Sequence, residues 1–175
     1  MNEVPIDEAV ERKYPEWVGM VVATDDTGNA NAMPAGWVMF TSHDPWMMAV
    51  SVGFERYTHA LLSESEEFVI NFPRFDQREA VLYCGTHSGA EVEKFEETDL
   101  ETAPASSVDV PLIEDSVASF ECEKRGSLDT GDHTIFAGEI VGAHVSEEEE
   151  KLYHLGTFHD RGVESFTRVV PKDVE

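Results

Sequence analysis

The sequence predicts a mainly β protein, an antiparallel barrel or sandwich with three or four short α-helices. Three observations predict it. Short apolar runs separated by compact turn signals fill the first third of the chain. Two long strand-like runs, 116–123 and 134–145, lie near its end, and the helical patterns between these regions are brief.

The elements follow in order. WVGMVVAT (17–24) is closed by the turn signal DDTGN, AMPAGWVMF (32–40) by SHDP, and WMMAVSVG (46–53) by its own glycine. These three runs read as a meander. Residues 58–65 predict a short helix with Thr58 as its N-cap. A strand follows at 68–72 and a helix at 75–83. The glycine-rich stretch GTHSGAEVEKF leads into a further short helix. ETAPASSVDVPLIED reads as a surface segment, and GSLDTGDH connects the two long strands. Ser146 before EEEEK marks a helix start, the serine capping and the glutamates facing the positive end of the dipole. No internal repeat or linker divides the chain, so 1–175 is expected to be a single domain.

Charge is the unusual quantity. The 175 residues hold 36 acidic and 12 basic side chains, a formal net charge of −24. Phosphate backbones would be repelled, which argues against nucleic acid as a partner. The excess is spread along the chain and reads as a solvated acidic surface suited to high salt, where the Debye length falls to about 3 Å at 1 M. No apolar run approaches the roughly 20 residues of a membrane span. The N-terminal MNEVPIDEAVERKYPEW lacks the pattern of a signal peptide, so a cytoplasmic protein without membrane contact is expected. Cys84 and Cys122 form no CxxC pair and read as buried thiols.

Three places could carry chemistry. In GFERYTHALL, Arg56 and Thr58 stand at the mouth of a helix, where free N–H groups and a partial positive charge attract anions. Arg56 adds a planar fork suited to phosphate. A capped helix with Arg56 in a surface salt bridge explains the spacing as well. In FVINF, alternation places Phe68, Ile70 and Phe72 on one face and Val69 with Asn71 on the other. A buried amide there either reads a heterocycle or is satisfied by neighbouring backbone. In TGDHTIF, His133 opens a strand beside Asp132. His144, His154 and His159 form a weaker metal constellation, since H-x4-H is not a tight ligand spacing. GxGxxG, GxxxxGK[ST] and GxSxG are absent from the chain, so dinucleotide, P-loop and nucleophile-elbow sites lack support.

NAMPAGWVMFTSHDPWMMAVSV, RYTHALLSESEEFVINFP, GTHSGAEVEKF and GDHTIFAGEIV, in that order, resemble the flavin reductase-like, FMN-binding split-barrel family, close to its flavoredoxin-type members. The resemblance covers roughly residues 20–145. It implies a six-stranded Greek-key barrel and a homodimer binding FMN near the subunit interface. It further implies that Arg56 and Thr58 meet the FMN phosphate and that Asn71 lies beside the ribityl chain and flavin ring. Ala35, Gly36, Trp37 and Ser51 would line the flavin, and Ser88 and Lys94 would close over it. His133 would lie near the nicotinamide of NAD(P)H. Many members carry Ser-Ser or Ser-Trp where this chain has Gly36-Trp37, which removes one hydroxyl contact.

The expected activity is hydride transfer from NAD(P)H to FMN, with an acceptor protein or monooxygenase downstream. An FMN electron carrier without nicotinamide activity and a non-catalytic flavin-binding protein are the alternatives. The charge reading yields its own prediction. Thermal melts at low and molar KCl should show a midpoint that rises with salt, and an unchanged or lower midpoint would contradict salt adaptation.

Overall fold

The computed structural model describes residues 2–147, 150–156 and 162–169. Helix α1 (Ile6–Glu11) and strand β1 (Glu16–Trp17) precede β2 (Gly19–Thr24), β3 (Ala30–Ala35), β4 (Val38–His43) and β5 (Trp46–Gly53). Then come α2 (Tyr57–Glu64), β6 (Glu67–Phe72), a 3-10 turn at Phe75–Gln77 and α3 (Arg78–Thr86). The short pair β7 (Thr102–Ala103) and β8 (Leu112–Ile113) leads to the long hairpin β9 (Ala118–Thr130) and β10 (His133–Val145). Strands β11 (Lys151–His154) and β12 (Phe166–Val169) complete a small sheet with β1.

The main sheet is antiparallel, in the order β3-β2-β6-β9-β10-β5-β4. Its two edges, β3 and β4, are joined by Gly36 and Trp37 alone. A flat sheet would hold edges seven strands apart by about 29 Å, at roughly 4.8 Å per strand. The link from Ala35 to Val38 spans at most about 11 Å, at 3.8 Å per Cα step. The sheet must therefore curl until its edges meet. Their approach is close: a Cβ on Gly19, beside Ala35, would lie 3.0 Å from Val38 Cγ2. The barrel carries seven strands instead of six because the run 32–40, expected as one strand, divides at Gly36–Trp37.

Both faces of this sheet are covered. Val21, Ala23, Val50, Phe68, Ile70, Phe72 and Phe136 fill one cluster, joined by Leu61 and Leu62 of α2. Met20, Val22 and Val69 point the other way, against Val81 and Cys84 of α3 and the segment around Val108–Ile113. This explains why β2 carries no polar side chain from Gly19 to Ala23, all buried, although it belongs to a barrel wall.

Three expectations fail for identifiable reasons. No helix follows the loop at 85–95, because turns closed by Glu96 N to Glu93 O (3.0 Å) take its place. Ser146 starts no helix: its N–H extends the ladder to Val117 O (3.4 Å), and Lys151–His154 form a strand. Residues 148 and 149 of that expected helix lie outside the described residues. Segment 101–115, expected on the surface, buries Val108, Val110, Leu112 and Ile113.

That burial requires partners for its backbone. They come from side chains of the sheet. Glu121, fully buried on β9, accepts from Ser106 N (3.0 Å), Ser106 Oγ (2.8 Å) and Ser107 N (2.6 Å), and also bonds His144 Nε2. Glu67 accepts from Asp109 N (2.8 Å). Burial works to raise the Glu121 pKa, but the Ser106 and Ser107 amides, the Ser106 hydroxyl and His144 outweigh it and hold the carboxyl at about 2. A carboxyl depressed in this way stabilises the fold above its ordinary value near 4.5 and loses that contribution as pH falls towards 2. Glu121→Gln should cost about 1.5–3 kcal/mol in denaturant melts at pH 7, with a smaller difference from wild type near pH 2. An unchanged midpoint at pH 7 would remove Glu121 as the anchor of this segment.

Candidate functional site

The seam that closes the barrel is also where it opens. A cleft of about 250 Å3 lies at the Gly36–Trp37 link, lined by Ala35, Gly36 and Trp37, by Ser51 and Gly53 of β5, and by His133. The register explains the grouping: His133 pairs with Gly53 and Ile135 with Ser51. Ser51 N donates to Trp37 O (3.0 Å), which ties the link to β5.

His133 and Trp37 form one wall, with ring centroids 4.9 Å apart at 40°. Trp37 is half exposed. Asp132 Oδ1 lies 2.6 Å from His133 Nδ1, so this adjacent pair does hydrogen-bond and the ring is fixed. The His133 bond holds the Asp132 carboxyl below its usual range. His154 also lines the cleft; burial lowers its pKa to about 4, so it is neutral at pH 7.

A second cleft of about 260 Å3 adjoins the first, and Met33, Arg56 and Gly85 line both. Its further lining includes Thr58, Ser88, Gly89 and Lys94. Arg56 is the N-cap residue of α2 by position, with extended backbone and no side-chain cap. The N–H groups of Tyr57 and Thr58 in the first turn therefore have no helical acceptor. Thr58, expected as the N-cap, instead sits one position inside the helix, buried, with Oγ1 accepting from Asn31 Nδ2 (2.8 Å).

The charges are distinctive. Among the described residues, seven basic side chains pair with carboxylates. Arg56, Lys94 and Lys151 do not; Lys151 lies over the Trp17 ring (5.0 Å), whereas Arg56 and Lys94 share the second cleft. Lys94 is 4% exposed and gives two protons to Ala32 O (2.8 Å) and Cys84 O (2.7 Å). Burial lowers the Lys94 pKa, and the Arg56 charge pushes the same way. Two neighbouring cations without a counterion, beside a helix N-terminus, make a site that an anion would relieve. Cys84 shares this cleft, but burial pushes its thiol up to about 11, so it is not a thiolate at neutral pH.

The structure thus brings together Ala35, Gly36, Trp37, Ser51 and His133 at one cleft, with Arg56, Thr58, Ser88 and Lys94 at its neighbour. It does not bring Asn71 to either. Asn71 is fully buried, donates to Met20 O (3.3 Å), and accepts from Ile113 N (3.0 Å) and Ser119 Oγ (2.8 Å). The alternation of FVINF is as expected, and the Asn71 face packs under segment 101–115, where the amide is satisfied by protein groups. The metal constellation also disperses. His144 bonds Glu121, His154 belongs to the first cleft, and His159 lies outside the described residues. Among the described residues no group of three potential ligands gathers. Sequence reading assigned no site role to Asn31 or Gly89, although both lie inside quoted stretches, NAMPAGW and GTHSGAEVEKF, and it placed His154 in the metal constellation instead of this cleft.

The barrel is split at its seam, where a cleft walled by Trp37 and His133 adjoins one that holds Arg56 and Lys94. Residues 12–163 match the model of the flavin reductase like domain, and the chain belongs to that family. An uncharacterized protein of Archaeoglobus fulgidus is 40% identical over 75% of this chain and 73% of its own. A ferric-chelate reductase (NAD(P)H) of the same organism is 29% identical over 83% of this chain and 89% of its own. Among solved structures, the FMN-binding protein of Thermus thermophilus with bound 1-cyclohex-2-enone superposes with a TM-score of 0.82 at 25% identity, covering 100% of this chain and 96% of that one. Flavoredoxin of Methanosarcina acetivorans gives 0.82 at 26%, covering 100% and 95%.

Proposed function

We propose that this chain is an NAD(P)H-dependent FMN reductase that works as a homodimer. One observation carries the reading: in a chain of net charge −24, Arg56 and Lys94 lack carboxylate partners among the described residues and share one cleft, joined to a second of about 250 Å3 walled by Trp37 and His133. FMN has that shape, a flat ring linked to a phosphate. The combined space falls in the ordinary range for ligand sites. The names of an NAD(P)H-dependent relative and an FMN-binding neighbour support the same reading.

When bound, FMN accepts a hydride from nicotinamide and passes the electrons on. The chain supplies binding and orientation. Arg56, Lys94, Thr58, Ser88 and the first turn of α2 hold the phosphate. Ala35, Gly36, Trp37 and Ser51 flank the ring. His133, held by Asp132, faces the same cleft and orients the nicotinamide through a hydrogen bond, without a proton transfer. An acceptor protein or monooxygenase receives the electrons.

The second copy has a surface to meet. Met39, Phe40 and Trp46 are half or more exposed on β4 and β5, and β4 is a free edge of the sheet. Beyond Trp37, a further cleft of about 380 Å3 is lined by Val38, Met39, Ala49, Val50 and Ile135. Light scattering at micromolar concentration reads the mass, and a monomer would overturn this part.

Arg56→Ala should weaken FMN by about 1.5–3 kcal/mol and leave riboflavin nearly unchanged. Equal losses for both ligands would sink the phosphate assignment. Steady-state oxidation of NADH and NADPH with added FMN tests the activity. Turnover supports the reductase, whereas reduction by a partner protein alone supports the electron carrier suggested by the flavoredoxin neighbour. His133→Ala should keep FMN affinity but slow flavin reduction, or raise KM for the nucleotide, about tenfold or more. Wild-type stopped-flow kinetics at saturating and limiting NADH would rule that role out.

A further inference from the structure

Asn31, on β3, is a polar amide 95% buried by its 5% exposure. Its Nδ2 donates to Thr58 Oγ1 at 2.8 Å. Its Oδ1 is buried and finds no hydrogen-bond partner among the described residues. Packing alone would place Val or Leu here and leave no such orphan. The same Oδ1 presses against the loop at Gly89, where a Cβ would come within 2.0 Å of it. Asn31 therefore touches two walls of the second cleft, α2 through Thr58 and the Ser88–Gly89 loop.

We infer that Asn31 is a positioning residue that aims the Thr58 hydroxyl proton into the phosphate site. A hydroxyl has one proton and two acceptor positions. The Asn31 amide fills one acceptor position, so the proton cannot point towards Asn31. Among the described residues, Thr58 Oγ1 donates to no protein group, although Thr58 is 2% exposed and lines the cleft. The hydroxyl is thereby held as a donor to whatever anion lies beside Arg56 and Lys94. A bond of this kind costs the ligand no reorganisation, which is what preorganised sites achieve. Gly89 is required because a larger residue would push the loop off Asn31. The inference rests on the phosphate reading given above and assigns to it a residue that never touches the ligand.

The test compares FMN and riboflavin affinities by flavin fluorescence in the full-length chain. The variants are Asn31→Ala, Asn31→Asp, Thr58→Val, the Asn31→Ala/Thr58→Val pair, and Arg56→Ala as control. The readout is the ratio of FMN to riboflavin affinity, which a general loosening of the fold does not move. Asn31→Ala should lower that ratio about tenfold, the size of one hydrogen bond to a charged group. Adding it to Thr58→Val should lower the ratio no further, because both act through one proton. Asn31→Asp keeps the shape but offers an acceptor to Thr58, so the proton turns inward and the ratio should fall at least as far. Because the new carboxylate also repels phosphate, this variant is read against Asn31→Asp/Thr58→Val, and an equal ratio in the two decides the matter if the alanine variant does not fold. An unchanged ratio in both Asn31 variants, additive losses in the pair, or equal losses for both ligands would each overturn the inference. If Arg56→Ala abolishes the FMN preference while the Asn31 variants keep it, the inference alone fails. If wild type shows no FMN preference, the phosphate reading fails and the inference falls with it.

Discussion

The two-residue link between the edges of the main sheet is the constraint on which the rest of the molecule depends. Gly36 and Trp37 join β3 to β4, the first and last strands of seven. So short a link forces closure, and closure packs Val21, Phe68, Ile70 and Phe136 into one core. Yet the link residues cannot complete the ladder they interrupt. Trp37 O is taken by Ser51 N, its indole is left half exposed, and a cleft remains where the two edges meet. Stability and the opening for a planar ligand thus have one origin. The long β9–β10 hairpin then places His133 at that opening, because its register sets His133 against Gly53 at the end of β5.

Electrostatics selects which of the openings suits an anion. With 36 carboxylates and 12 basic groups, nearly any cation on this surface has an acid within reach. Most basic side chains pair accordingly. Arg56 escapes by sitting at the start of α2, and Lys94 by burial against two backbone carbonyls. Keeping two like charges close and unpaired opposes the folding of that corner, and a bound phosphate would offset the repulsion. The overall field repels anions at long range. The local pair acts at contact, where screening matters least.

Much of this was legible in the sequence because strand alternation and turn residues are local signals. The apolar runs, two helices expected at 58–65 and 75–83 and found at Tyr57–Glu64 and Arg78–Thr86, and the faces of FVINF could all be read from neighbours in the chain. The split of residues 32–40 could not be read, since it depends on where the sheet edges meet. Nor could the burial of segment 101–115, whose Pro, Ser and Asp content suggests solvent. Its backbone is satisfied by Glu121, Glu67 and Asn71, residues between 14 and 42 positions away. Arg56 and Thr58 were legible as a helix mouth. That their cleft also receives Ser88 and Lys94 came only from the family resemblance and the folded chain.

The two buried asparagines show what decides between a structural amide and one poised for a ligand. Both lie in β-strands, both are at least 95% buried by their exposures of 0% and 5%, and nothing in the sequence ranks one above the other. Asn71 seemed the functional one, because a strand core has no use for an amide. The folded chain supplies that use: Ile113 N and Ser119 Oγ meet its oxygen, and Met20 O accepts from its nitrogen. Its hydrogen bonds close on the protein. Those of Asn31 do not, for among the described residues its oxygen is unmatched and its nitrogen bonds a hydroxyl whose proton has no protein acceptor. An amide with a closed set of partners can only hold structure, as Asn71 holds segment 101–115. An amide whose chain of donors ends at a cleft passes its orientation on to whatever enters that cleft. Composition and alternation register burial but not where a hydrogen-bond chain ends, and this is why the sequence alone does not distinguish the two asparagines.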